Sequence, residues 1–177
     1  MLTTRLPDRV EPYKLAARAE HLEGLMALDA FTRLTEAVGQ QDGDIEAWLD
    51  FTIDPQGRHE IHGRLRASLQ LPCRRCMRAM AQEIESEFLL GMVTSDALAA
   101  ELPSTHEPVL VEDEQLNLLT VVEDEMLLSL PQVVYHDEAD CAVSRDQLTS
   151  GEDAAASSEP AASPFDVLRH LKGNKTD

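Results

Sequence analysis

The sequence predicts an α+β domain: an antiparallel β-sheet or partly open barrel packed by short helices. Two patterns carry that expectation. From Ile61 to Leu71 every odd position is apolar or small and every even one is polar, the period of a half-buried strand. Ile45 to Ile53 and Ala81 to Val93 alternate in the same way, with turn signals between the three runs. By contrast, Leu119, Val122, Met126, Leu127 and Leu130 recur at helical spacing and stop at Pro131. At 177 residues the chain is the size of one domain with tails. With four Phe, two Tyr and one Trp, its core must be built from Leu, Val, Ile, Met and Ala.

The elements follow in order. Pro12 opens a short helix over Glu11–Glu20, where the missing proline N–H is no loss. His21–Leu28 reads as a strand interrupted at Gly24, and Phe31–Val38 as a second helix entered from Asp29, with Gly39 past its end. Ile45–Ile53 and the central strand form a hairpin through Asp54-Pro-Gln-Gly57. The central strand runs through Pro72 into a tight Cys73-Arg-Arg-Cys76 turn, and Ala81–Val93 returns as a third antiparallel strand. Ser95–Ala100 is a helical turn, Pro108–Val111 a short strand, and Leu116–Leu130 the longest helix. Residues 1–147 form the domain. Residues 148–162, rich in Ser, Ala, Glu and Gly, are expected to be a disordered acidic tether. Residues 163–177 end in a small amphipathic helix, capped by Ser163 with Pro164 at its first position, whose Phe165, Leu168 and Leu171 share a face suited to docking on a partner or back on the domain.

Charge is segregated along the chain. The formal net charge is -18, yet six arginines and one acid lie between Arg58 and Arg78. From Ala79 to Ser144 there are fifteen acids and no Lys or Arg. Such a molecule repels nucleic acid and anionic lipid on average, so any RNA contact must be local. Arg64, Arg66, Arg74, Arg75 and Arg78 can bind phosphate oxygens in bidentate fashion, which positions RNA without reading its sequence. Alternatively, Glu83, Glu85 and Glu87 on the neighbouring strand neutralise Arg64 and Arg66 within the fold. No aromatic platform of the kind used for single-strand recognition accompanies the arginines. The acidic helix and linker suit a basic partner surface. No phosphate loop, nucleophile elbow or metalloprotease helix is present, and no apolar run approaches the roughly 18–20 residues that span a bilayer. Three cysteines make no disulfide framework and no secretory signal opens the chain, so the expected compartment is the reducing cytoplasm, with no membrane association.

Four segments together resemble the YceD family of bacterial proteins, named for the accumulation of large-subunit ribosomal RNA. They are the Cys73-Arg-Arg-Cys76 knuckle after an alternating strand, Val121-Val-Glu-Asp-Glu-Met-Leu-Leu-Ser-Leu-Pro131, Tyr135-His-Asp137 with Cys141 beyond, and Ser163-Pro-Phe-Asp-Val-Leu-Arg-His-Leu-Lys172. The resemblance implies a non-enzymatic ribosome-biogenesis factor that supports synthesis, processing or accumulation of 23S ribosomal RNA. Its partners would be ribosomal RNA, a large-subunit ribosomal protein or an assembly factor. It implies no catalytic residue.

Three readings remain open for Cys73 and Cys76. As zinc ligands they need two further donors, and His136 and Cys141 are the His and Cys close together downstream. Some members of the family carry additional cysteines in that later region. As a redox pair they would ordinarily sit at a helix start, whereas the pattern here is a hairpin. As reduced thiols of a structural turn they project Arg74 and Arg75 outward. A metal- or thiol-dependent enzyme using Cys73, Cys76, His136 and Cys141, or a pure protein-interaction adaptor with the arginines paired internally, are the alternative functions. His62 and His106 are expected to be surface histidines.

Overall fold

The computed structural model describes residues 2–144; the expected tether at 148–162 and the terminal helix with Phe165 and Leu168 lie outside the described residues. The chain divides into two units, Met1–His136 and Asp137–Asp177. The first contains the sheet and helices.

That unit is α+β, with an open five-stranded sheet. The strands are β1 (Arg9–Val10), β2 (His21–Ala27), β3 (Asp44–Ile53), β4 (His59–Pro72), β5 (Ala79–Val93), β6 (Glu107–Leu110) and β7 (Leu116–Asn117). The helices are α1 (Pro12–Ala17), α2 (Thr32–Val38), α3 (Asp96–Ala99) and α4 (Leu118–Leu128), with a 3-10 turn at Leu28–Ala30. The sheet order is β2-β3-β4-β5-β6, antiparallel throughout except that β6 joins β5 in parallel. A separate ribbon pairs β1 with β7.

The expected alternation is what folds the sheet. Ile45, Ala47, Leu49 and Phe51 of β3 and Ile61, Leu65, Leu69 and Leu71 of β4 face one side and are buried. They form the core with Leu118, Val122 and Met126 of α4 and Leu34 of α2. Helix α1 lies against β3 and β4, and α4 against β5 and α2. Helices α1, α2 and α4 thus cover one face of the sheet, and the other is left to solvent except where the segment after α3 sets Leu102 over Gly91 and His106 on Glu60. The β3–β4 turn is as expected: the Asp54 carboxylate accepts the N–H groups of Gln56 and Arg58, both at 2.8 Å, and Gly57 supplies a φ of +85°.

Three details depart from the sequence reading. Strand β2 continues through Gly24 because the amino-terminal segment passes over it. A Cβ there would lie 2.6 Å from the Thr4 carbonyl oxygen, and Leu25 N–H donates to that same oxygen. Helix α4 begins at Leu118 instead of Leu116. Leu116 and Asn117 pair with β1, and the Asn117 side chain then caps the helix by accepting from Leu119 and Thr120 N–H. Helix α2 is entered at Phe31, not Asp29, and Phe31 supplies no side-chain cap.

The pairing of β3 with β4 stops at Glu46–Arg66, near the start of β3, while the β4–β5 hairpin runs on to Pro72 and Ala79. The main chain freed on β4 is met by a side chain. Gln41 Oε1 accepts the Gln70 N–H at 2.8 Å and Gln41 Nε2 donates to the Gln70 carbonyl at 3.2 Å, a substitute for one more residue of β3. The extension carries the cysteine turn at its tip.

Candidate functional site: the arginine-bearing cysteine knuckle

Register separates the five arginines into two groups. Arg64 stands between Trp48 on β3 and Glu87 on β5, and Arg66 between Glu46 and Glu85. The Arg66 guanidinium reaches Glu83 at 3.4 Å and Glu85 at 3.7 Å, and Arg64 lies 5.2 Å from the centre of the Trp48 ring. The Glu83 carboxyl is held below the ordinary range by hydrogen bonding from Ser68, with burial opposing and Arg66 adding to it. Around this pair, Glu23, Glu46, Asp50, Glu60, Glu83, Glu85 and Glu87 occupy outward positions on four adjoining strands. The solvent face of the sheet is therefore acidic in spite of its two arginines.

Arg74, Arg75 and Arg78 lie at the tip, beyond that field. Arg74 and Arg78 are exposed and form no ion pair among the described residues. Arg75 sits over the Tyr135 ring, 5.7 Å from its centre, in cation–π geometry. Tyr135 is half exposed, so the tip pairs basic groups with one aromatic face that no strand pattern had marked.

The turn between them is closely specified. Cys73 N–H donates to the Arg78 carbonyl at 2.9 Å and Met77 N–H to the Cys73 carbonyl at 2.8 Å, while Met77 takes a φ of +60° to redirect the chain into β5. The segment after α4 docks alongside: Arg74 N–H donates to the Val134 carbonyl at 2.9 Å, and the buried Val134 joins the core. That docking brings His136 to the cysteines. Its backbone N–H lies 3.4 Å from Cys73 Sγ and its Nδ1 3.4 Å from Cys76 Sγ. Cys73 is fully buried, which opposes the thiolate, but the N–H groups of Cys76, His136 and Arg75 and the His136 side chain outweigh burial and bring the thiol down to about 5. The Cys73 sulfur in turn raises His136 above the ordinary imidazole range, with burial opposing and Cys76 assisting. All three cysteines are reduced. Thus Cys73, Cys76 and His136, separated by 60 residues of chain, meet at one point of the first unit. Cys141 belongs to the second unit, where its N–H closes a turn onto the Asp137 carbonyl at 3.0 Å.

One histidine is placed differently from the expectation. The His106 side chain is 7% exposed and bonds Glu60 at 3.1 Å through Nε2. Glu60 also accepts from Thr52 at 3.1 Å and contacts His62 at 3.0 Å. Burial of Glu60 opposes ionisation, but these bonds prevail and lower its carboxyl. With its acceptor capacity spent on three side chains, Glu60 ties the loop after α3 to β4. His62 is exposed, as expected.

Comparison with known proteins gives a consistent picture. The family described as "Large ribosomal RNA subunit accumulation protein YceD" matches residues 61–172, which include the knuckle, α4 and the segment carrying His136. The protein of Haemophilus influenzae named "Large ribosomal RNA subunit accumulation protein YceD" is 33% identical over 176 residues, covering 97% of this chain and 99% of that relative. No solved structure matches. No helix among the described residues is long and apolar enough to cross a membrane. With the match running over the whole sheet and its tip, the chain belongs to the YceD family.

Proposed function

We propose that this protein is a cytoplasmic, non-enzymatic ribosome-biogenesis factor that supports the accumulation of large-subunit ribosomal RNA by docking the knuckle on the RNA backbone. The observation that carries the reading is the division of the arginines: Arg74, Arg75 and Arg78 project from a hairpin tip outside the carboxylate field that surrounds Arg64 and Arg66. Three guanidinium groups beside an exposed tyrosine bind phosphates and stack one base, which secures a strand with little sequence preference. The acidic sheet face limits contact to that tip, because further RNA is repelled.

A second contact is favoured by the same charge map. The outward carboxylates of β2 to β5 complement a basic surface, such as that of a large-subunit ribosomal protein, so one molecule joins RNA at its tip to protein on its sheet. Phe165 and Leu168 remain the sequence-based candidates for a further partner contact.

Binding to a pool of 23S ribosomal RNA fragments across a salt series tests the RNA reading. Changing Arg74, Arg75 and Arg78 to Ala should weaken binding and reduce the slope of log affinity against log salt by about 2 to 3, since each phosphate contact adds roughly one counterion to the slope. Changing Arg64 and Arg66 should leave the slope intact. Equal loss from both variants, or from neither, would remove the tip as the RNA site.

A further inference from the structure

We propose that the groove between α4 and β6 is a docking site for a lysine side chain of a basic partner protein. Glu107 and Val109 share one face of β6, and Val121, Glu125 and Leu128 form an i, i+4, i+7 stripe on α4. Between them lies a cavity of about 350 Å³ that Leu90 of β5 also lines. Its walls are mostly hydrocarbon, and the charged side chains that face it are all acids: Glu107, Asp124 and Glu125.

Glu125 is the residue that points to a ligand. It is 7% exposed, yet no hydrogen bond or ion pair reaches its carboxyl among the described residues. Glu123, two positions earlier and also buried, has its carboxylate filled by Arg33 and Leu34. Asp124 is committed in part to Arg33, at 2.6 Å. Burial, then Glu107 and Asp124, raise the Glu125 carboxyl to about 7. A buried carboxyl without a partner costs stability, and groups so perturbed cluster at binding sites. What the groove lacks is a cation. The methylenes of a lysine match its apolar walls, and the ammonium, with three donors and no acceptor, meets Glu125 and Glu107 and draws the proton from Glu125. Leu128, on the same stripe, is 73% exposed. A free amine would leave it in water, whereas a protein that presents the lysine covers it. The groove is a surface separate from the two already described. Helix α4 packs on the face of the sheet opposite the outward carboxylates, and β6 pairs with the Leu90–Val93 end of β5, away from the cysteine turn.

Methyl resonances of the full chain test the site at pH 8, where Glu125 is mostly ionised. A capped Leu-Lys-Leu tripeptide should shift the methyl signals of Val109, Val121 and Leu128 with saturation. It should bind at least about tenfold more tightly than the same tripeptide with norleucine in place of lysine, as a charge-assisted hydrogen bond provides. Glu125→Gln, which fills the same space without the charge, should bind the two tripeptides about equally. Pentylammonium, the lysine stem alone, should bind more weakly than the lysine tripeptide because it leaves Leu128 uncovered. Pentylammonium that binds as tightly as the tripeptide would assign the groove to free amines and overturn the protein partner. The absence of a saturable shift, equal affinity of the wild type for the lysine and norleucine forms, or an unaltered preference for lysine in Glu125→Gln would remove the groove as a lysine site. These readouts use no RNA, so their outcome is separate from that of the ribosomal RNA experiment.

Discussion

The carboxylate of Glu123 on α4 accepts the backbone N–H of Arg33 at 2.7 Å and its Nε–H at 2.8 Å, so that one helix caps another. Glu123 also accepts Leu34 N–H at 3.1 Å. Helix α2 has no cap of its own, and two of its orphan amides are satisfied only by this tertiary contact. Burial disfavours ionised Glu123, but the bonds from Leu34 and Arg33 prevail and lower its carboxyl below the ordinary range. Glu123→Ala should therefore cost about 2 kcal/mol, the usual penalty for leaving buried donors without an acceptor. Urea denaturation checks this, and an unchanged midpoint would show that water replaces the cap. Because the native carboxyl is lowered, the stabilisation is complete above the unfolded carboxylate range and is lost as pH falls through the native value.

How far the sequence revealed this molecule depends on the range of each interaction. The alternation of Ile45–Ile53, Ile61–Leu71 and Ala81–Val93 is local and was legible, because one face of each strand meets a core. The parallel docking of β6 and the ribbon of β1 with β7 are long-range pairings with no local mark. Glu123, Asp124 and Glu125 are three adjacent acids between the apolar positions of α4, and Glu123 and Glu125 are buried. A signal was available for Glu125: it falls at helical spacing on the same stripe as Leu118, Val121 and Val122. Nothing local marked Glu123, whose partner lies 90 residues away. At the knuckle, the cysteines and His136 were nameable from residue type, whereas the separation of Arg64 and Arg66 from Arg74, Arg75 and Arg78 required the strand register.

Gly63 and Phe88 are Cα partners on β4 and β5, and the Phe88 ring lies over the glycine where a Cβ would stand. Gly63→Ala must displace the ring and should cost about 1 to 3 kcal/mol, as overpacking does. The double variant Gly63→Ala with Phe88→Leu should lose less than the sum of the single changes, giving a coupling energy in denaturation experiments. Additive losses would mean the ring moves aside freely.

Glu125 carries the opposite pH signature to Glu123. Burial, with Glu107 and Asp124 nearby, raises its carboxyl to about 7. The folded protein then holds a proton that the unfolded chain releases near 4.3, so stability falls as pH rises from that value to about 7 and does not return above it. The full effect is roughly 4 kcal/mol at a cost of 1.36 kcal/mol per unit. Glu125→Gln should be more stable than wild type at pH 8 and nearly equal to it at pH 4.5. Comparison of the two proteins cancels the lowered carboxyls of Asp54, Glu60 and Glu123, which act on the acid side in both. A constant difference across that range would mean that Glu125 is ionised in the fold.

Trp48, the single tryptophan, can tell the two proposed surfaces apart. It is paired with Arg64 on the acidic sheet face, and β4 runs on from there to the knuckle. At about 3.3 Å per residue, the stretch from Arg64 to Cys73 separates the two places by roughly 30 Å. RNA held at the tip should leave Trp48 emission unchanged while the anisotropy of a labelled RNA fragment rises to saturation. A basic ribosomal protein docked on the sheet should shift that emission with the midpoint of its own binding. Arg64→Ala should alter the emission of the protein alone by removing the cation from the ring, and should cost about 0.5 to 1 kcal/mol of stability. If instead RNA shifts Trp48 emission with the midpoint of its own binding, the strand lies along the sheet, and Arg64 and Arg66 must have exchanged their carboxylates for phosphates. The tip would then be no more than the end of a longer site.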